Sequence, residues 1–171
     1  CSIMLIGAMN PCPCGYYGHP KRKCTCGPKQ VKNYLSKISG PMLDRFDLHI
    51  EVAPVEFDDM SSDKKEETSA EIRKRVQAAR NIQSERFKNT SITCNALITA
   101  DKLQDMCPMD DNARELLRNV FDKLGLSARA YDRILKVART IADLDNQETI
   151  GKRHIAAAAQ YRSLDRKYWS E

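Results

Sequence analysis

Between Pro11 and Pro28 the chain sets four cysteines among four prolines and three glycines, as Cys12-x-Cys14 and, nine residues on, Cys24-x-Cys26. Residues of this kind punctuate rather than extend regular structure. The loop also offers almost no apolar side chains beyond Tyr16 and Tyr17, so packing alone is a weak source of order. Two pairs of thiolates joined by a turn-rich loop are able to close a tetrahedral zinc shell, and the metal then replaces the missing core. CxC pairs are rarer in zinc sites than CxxC knuckles, which keeps reduced structural cysteines as the alternative. His19, inside the loop, is a candidate substitute for one sulfur.

Export and membrane signals bear on that choice. No apolar run approaches the ~20 residues that span a bilayer, and the first fifteen residues lack the charged leader of a secretory signal. The expected location is the cytoplasm, where thiols stay reduced and seven cysteines do not form a disulfide framework. Cys1, Cys94 and Cys107 show no partner pattern and are read as packing residues.

The net charge of +5 is concentrated: residues 1–50 carry seven Lys/Arg against two Asp, while residues 51–171 carry 21 of each sign. Such a patch points to an anionic partner, nucleic acid or nucleotide phosphate, although Lys21, Arg22 and Lys23 also fit an ordinary solvated loop.

Hydrophobic spacing divides the chain. Ser2 to Met9 and Leu48 to Val52 read as strands, the first a buried strand of a parallel sheet, with a polar helix near Gln30 to Lys37 between them. A core-like strand at residue 1 leads us to expect a piece of a longer protein. Asp58 to Glu67 reads as a linker, and Ala70, Ile72, Val76, Ala79, Ile82 and Phe87 recur at helical spacing. Further helices are expected over Asp101 to Met106, Asn112 to Leu124, Ala128 to Leu144 and Lys152 to Leu164, with Gly125 as a stop and Ser127 as an N-cap. Tyr131, Ile134, Ala138 and Ile141 form the stripe that would face a bundle core. The expected fold is mainly α: a partial α/β segment over 1–57, a linker and long helix over 58–98, and a helical bundle over 99–171.

Three polar residues stand out by position. Asn10 follows the first apolar run, at a strand end where open α/β sheets bind ligands, though Asn before Pro also favours a turn. Arg45 sits in Asp44-Arg45-Phe46-Asp47, with a local salt bridge as the plain reading. Arg129 lies in the first turn of a helix, where the dipole already favours an anion and an arginine asks for a negative group; Asp132 is the plain alternative. His49 and His154 are read as structural.

The order IGAMNPCPCG, CTC, SGPMLDRFDLHIEV and LSARAYDRILKVARTIADL resembles, over nearly the whole chain, the C-terminal portion of magnesium-chelatase-related AAA+ ATPases of the ComM or YifB type. LDRFDL also resembles the arginine-finger region of the MCM helicases. The resemblance implies that 1–57 belongs to an AAA+ core and 99–171 to its lid, with Asn10 at sensor 1, Arg45 at the arginine finger and Arg129 at sensor 2. It implies ATP and Mg²⁺ as cofactors, a six-membered ring, and action on DNA in recombination or transformation. No GxxxxGK[ST] loop or acidic Walker-B strand occurs here; both are expected before residue 1, and this chain alone is expected to be inactive. A metal-chelatase motor, or a zinc module binding nucleic acid or protein without ATPase activity, are the alternatives.

Overall fold

The computed structural model describes residues 3–55 and 66–162. Among these the fold is mainly α, as expected, with seven α-helices and two 3-10 turns. Helices α1 (Pro28–Leu35) and α2 (Gly40–Leu43) lie in the first segment. The second holds α3 (Ser69–Arg86), 3-10 turns at Asn95–Leu97 and Ala100–Lys102, α4 (Leu103–Met106), α5 (Asp111–Leu124), α6 (Ala128–Leu144) and α7 (Lys152–Gln160).

Local chemistry explains the helix ends. The α3 start is a capping box: Thr68 Oγ1 accepts from the Glu71 N–H at 3.3 Å, while Glu71 Oε2 accepts from the Thr68 N–H at 2.8 Å. Gly125 ends α5 in the left-handed region, φ 51°, and the Leu126 N–H donates to the Phe121 carbonyl at 3.2 Å. Ser127 then caps α6, accepting from the Ala130 N–H at 3.2 Å. Both signals were legible two residues apart in the sequence.

The main core lies where α5, α6 and α7 meet. Leu117, Ile134, Leu135, Ala138, Ile150 and Ile155 are almost fully buried there, with Phe87 and Ile98 closing one side. Of the expected α6 stripe, Ile134 and Ala138 are buried, and Tyr131 and Ile141 pack against them half-buried. A large aliphatic side chain buried this way contributes about 1.5–3 kcal/mol. A second, small cluster joins Val31 and Leu35 of α1 to Cys12.

Two expectations are corrected. Neither Ile3–Met9 nor Leu48–Val52 forms a strand; the only bridge among the described residues pairs Met109 with Ile150. A strand satisfies its backbone sideways, and no partner strand lies among the described residues, so Ile3, Met4, Leu5 and Ile6 are exposed. The 48–52 stretch is tied instead to α7, through the His49 N–H donating to the Tyr161 carbonyl at 2.9 Å. The long helix also differs from the expected amphipathic one. Only Ala79, Gln83 and the following Phe87 are buried, while Ile72 and Val76 stay exposed because only the C-terminal half of α3 meets α6. Ser2, much of the 58–67 linker, and Ser163 and Leu164 of the expected last helix lie outside the described residues.

Candidate functional site

The loop folds its four cysteines into one cluster. Cys12 and Cys14 sulfurs are 3.4 Å apart, Cys14 and Cys24 3.5 Å, Cys12 and Cys24 3.7 Å, and all four lie within 4.8 Å of one another. Zn–S bonds of about 2.3 Å in a tetrahedron put sulfurs about 3.8 Å apart, so this donor set fits a zinc ion. Cys12 is fully buried, against Val31 and Leu35, and the other three are half-buried. The thiols are not equivalent. The backbone N–H groups of Tyr16 and Thr25 pull Cys14 down to about 5. At Cys24 the Cys26 N–H also lowers the value, but desolvation and the neighbouring sulfurs outweigh it and push the thiol up to about 12. Desolvation raises Cys26 in the same direction. One thiolate forms easily and the next against it do not, unless a cation joins them.

His19 is not part of this cluster. Its Nδ1 accepts from the backbone N–H groups of Lys21 and Arg22 at 3.0 and 3.1 Å, so it shapes the turn rather than completing the sulfur shell. Asn10 stands at the same loop, its side chain beside Gly15, whose φ of +81° is what calls for glycine there. It does not end a paired strand.

The Asp44-Arg45-Phe46-Asp47 segment is held by the other half of the chain. Asp44 accepts from Arg162 Nη2 at 3.1 Å and from the Ser127 hydroxyl at 3.4 Å; Arg162 Nη1 donates to the Phe46 carbonyl; and Asp47 accepts from Arg133 Nη1. Arg45 is exposed, with Nη1 donating to the Pro41 carbonyl at 2.6 Å. The carboxylates that flank it in sequence are thus engaged elsewhere. Arg129 is exposed as well and lines a surface cleft of about 280 Å³ with Asp47, Ala96, Asp132, Arg133 and Lys136. The structure therefore brings the Arg45 segment and the Arg129 helix together, and leaves Asn10 with the cysteine loop.

One polar centre escaped the sequence reading. Asp143, buried on α6, accepts from Arg86 Nη1 at 2.9 Å, Asn95 Nδ2 at 2.8 Å and Arg139 Nε at 3.1 Å. Arg139 is also fully buried and donates to the Gln147 and Glu148 carbonyls. Burial lowers the Arg139 guanidinium, with Asp143 pulling it back up. Desolvation pushes Asp143 up, but Arg86, Asn95 and Arg139 outweigh it and hold the carboxyl below its ordinary range. The signal was present: Arg139 and Asp143 sit four residues apart beside the apolar stripe. His49 and His154 are structural: His49 Nε2 lies 3.2 Å from the Leu43 carbonyl, and His154 Nδ1 accepts from the Gly151 N–H at 2.9 Å.

With fold and site in place, the chain belongs to the magnesium chelatase subunit ChlI family: that family matches residues 1–60, and its C-terminal part matches residues 66–162. It is an AAA+-related, ChlI-like protein. Among its relatives, competence protein ComM of Haemophilus influenzae is 40% identical over 165 residues, 96% of this chain and 31% of that protein. The YifB proteins of Salmonella typhimurium and Escherichia coli are 41% and 39% identical over 166 residues, again 96% of this chain and 31% of theirs. The chain thus spans about a third of the length of the curated relatives it matches. No helix among the described residues is long and apolar enough to cross a membrane.

Proposed function

We propose that this chain carries sensor 1, the arginine finger and the sensor 2 lid of a cytoplasmic, ATP-hydrolysing AAA+ ring, six-membered, that acts on DNA in recombination or transformation. The observation that supports it is the docking of the Arg45 segment on the first turns of α6: Asp44 and Asp47 are held by Ser127, Arg162 and Arg133, while Arg45 and Arg129 face outward. ATP with Mg²⁺ supplies the phosphoanhydride to be cleaved, held by a phosphate loop that this chain lacks. Arg45 reaches a neighbour's site and offsets charge developing on the γ-phosphoryl oxygens. Asn10 orients the attacking water or reads the γ-phosphate. Arg129, at the positive end of α6, pairs with phosphate and moves the lid with nucleotide state. Cys12, Cys14, Cys24 and Cys26 hold zinc, which orders the loop next to Asn10.

A finger acts mainly on the transition state. In the whole protein, Arg45→Ala is expected to lower the hydrolysis rate by about 10³–10⁵ while leaving ATP affinity nearly unchanged. Mixing these subunits with phosphate-loop mutants is expected to restore part of the activity, because the finger works across an interface; equal loss of rate and affinity, without rescue, would make Arg45 structural. The family description favours a second reading, a motor for metal insertion through protein partners. DNA stimulation of the ATPase would argue against it.

A further inference from the structure

The turn that carries Arg45 has little packing of its own. Between residues 36 and 55 only Leu43 is buried, so the position of the turn depends on polar ties. Two of them come from a single side chain just beyond α7. Arg162 is 4% exposed and reaches both chain neighbours of Arg45: Nη2 donates to Asp44 Oδ1 at 3.1 Å, and Nη1 donates to the Phe46 carbonyl. Two donors of one rigid plane thus hold a side-chain oxygen before Arg45 and a main-chain oxygen after it. The Asp44 carboxylate offsets the buried charge; the bond to a neutral carbonyl adds geometry rather than neutralisation. The fork also stands on a firm base. The Arg162 N–H donates to the Ala159 carbonyl at 3.0 Å in the last turn of α7, whose Ile155 and Ala158 are buried in the main core. Next to it, the Tyr161 carbonyl accepts from the His49 N–H at 2.9 Å, which ties the far side of the turn to the same helix end. Arg45 itself is exposed and donates to the Pro41 carbonyl within its own turn.

We propose that Arg162 is the positioning residue for Arg45: its fork fixes the backbone on both sides of residue 45 and so sets where the exposed Arg45 side chain stands when it reaches a neighbour's ATP. This rests on the reading of Arg45 as the finger and adds what aims it. Arg162 is buried and acts through Asp44 and the main chain at Phe46 rather than on phosphate. Lysine at this position keeps the charge, but a single ammonium is not a planar fork and does not reproduce both bonds in one geometry. A reacting group displaced by about 1 Å costs about 10²-fold in rate, which is the size of effect expected when the fork is lost.

Steady-state ATP hydrolysis by the whole protein tests this with Arg162→Lys, Arg45→Ala and the double variant, each checked for folding by circular dichroism. Arg162→Lys is expected to lower kcat about 10²-fold with KM nearly unchanged, and to cost nothing further in the Arg45→Ala background, because it acts through a residue already removed. Arg153→Lys, the same exchange at an exposed position of α7, is expected to leave turnover unchanged. Mixing Arg162→Lys subunits with phosphate-loop mutants that keep both arginines is expected to restore part of the activity, since the mutants supply a correctly aimed finger. A defect confined to the fold of the Arg162→Lys subunit is not rescued in that way. Should Arg162→Lys fail to fold, Asp44→Ala removes the same bond from its partly exposed end and is read identically. Unchanged turnover in Arg162→Lys beside a slow Arg45→Ala would overturn the positioning role and leave the finger reading standing. So would a further loss in the double variant, a rise in KM that matches the fall in kcat, or no rescue on mixing. If Arg45→Ala itself turns over at the wild-type rate, the finger reading falls, and the positioning role falls with it.

Discussion

Asp47 and Arg133, 86 residues apart, form an ion pair that joins the segment bearing Arg45 to the helix bearing Arg129. Arg133 is one turn along α6 from Arg129 and lines the same cleft. Asp44 adds two further ties, accepting from the Ser127 hydroxyl at the start of α6 at 3.4 Å and from Arg162, beyond α7, at 3.1 Å.

The pair is partly exposed on both sides, so its worth to stability is small, about 0–1 kcal/mol. Asp47→Asn is expected to leave the denaturant midpoint of the chain almost unmoved. If Arg45 acts as the finger proposed above, the same change in the whole protein is expected to lower the ATP hydrolysis rate severalfold, because the segment that bears it loses one of its ties to α6. Unchanged turnover would reduce the pair to an ordinary surface salt bridge.

Asp143 behaves differently, because Arg139 beside it is fully buried and Arg86 mostly so. Asp143→Ala leaves those charges without their shared partner, and we expect a loss of about 3–5 kcal/mol in chemical denaturation. The folded-state pKa of Asp143 is depressed, so its contribution is fully present above the unfolded value of about 3.9 and is lost as pH falls through the lower folded value. Wild-type stability should drop steeply below about pH 4, and the Asp143→Asn variant should start lower and show a shallower acid limb.

Metal analysis of protein purified without chelator should find about one equivalent of zinc, released by mercurial titration. Cys12→Ser should abolish it and loosen the loop while the helical signal of the 66–162 bundle persists, since that core shares no residue with the cysteine cluster. A metal-free protein with an ordered loop, under reducing conditions, would defeat the zinc reading.

Alkylation separates the remaining described thiols. Cys107 is 2% exposed, and burial raises its thiol to about 11, so it should resist iodoacetamide near pH 8 until the protein unfolds. Half-buried Cys94 should react earlier, and mass spectrometry of labelled peptides reads the order.

The isolated chain should show no ATP turnover above a blank, because it contains no GxxxxGK[ST] loop to cradle the phosphates. Measurable hydrolysis would place the catalytic apparatus within these 171 residues and overturn the division of labour proposed for the whole protein.

What the sequence determined by itself was what short-range physics controls. Gly125 and Ser127 place the α5–α6 junction because a left-handed stop and a side-chain cap act within three residues. Cys12, Cys14, Cys24 and Cys26 announce a cluster because a fifteen-residue loop with almost no apolar side chains beyond Tyr16 and Tyr17 has few other ways to order itself. Tertiary structure decided the rest. Apolar runs at 3–9 and 48–52 have strand propensity, yet a strand exists only beside another, so propensity alone overstated both. Arg86 finds Asp143 across 57 residues, and Asp44 finds Arg162 across 118, through helix packing that no local pattern encodes. The pattern of charges around Arg45 suggested a local salt bridge; the fold gave its flanking carboxylates to α6 and the end of α7 instead, because those helices bring cations to them and leave Arg45 facing outward.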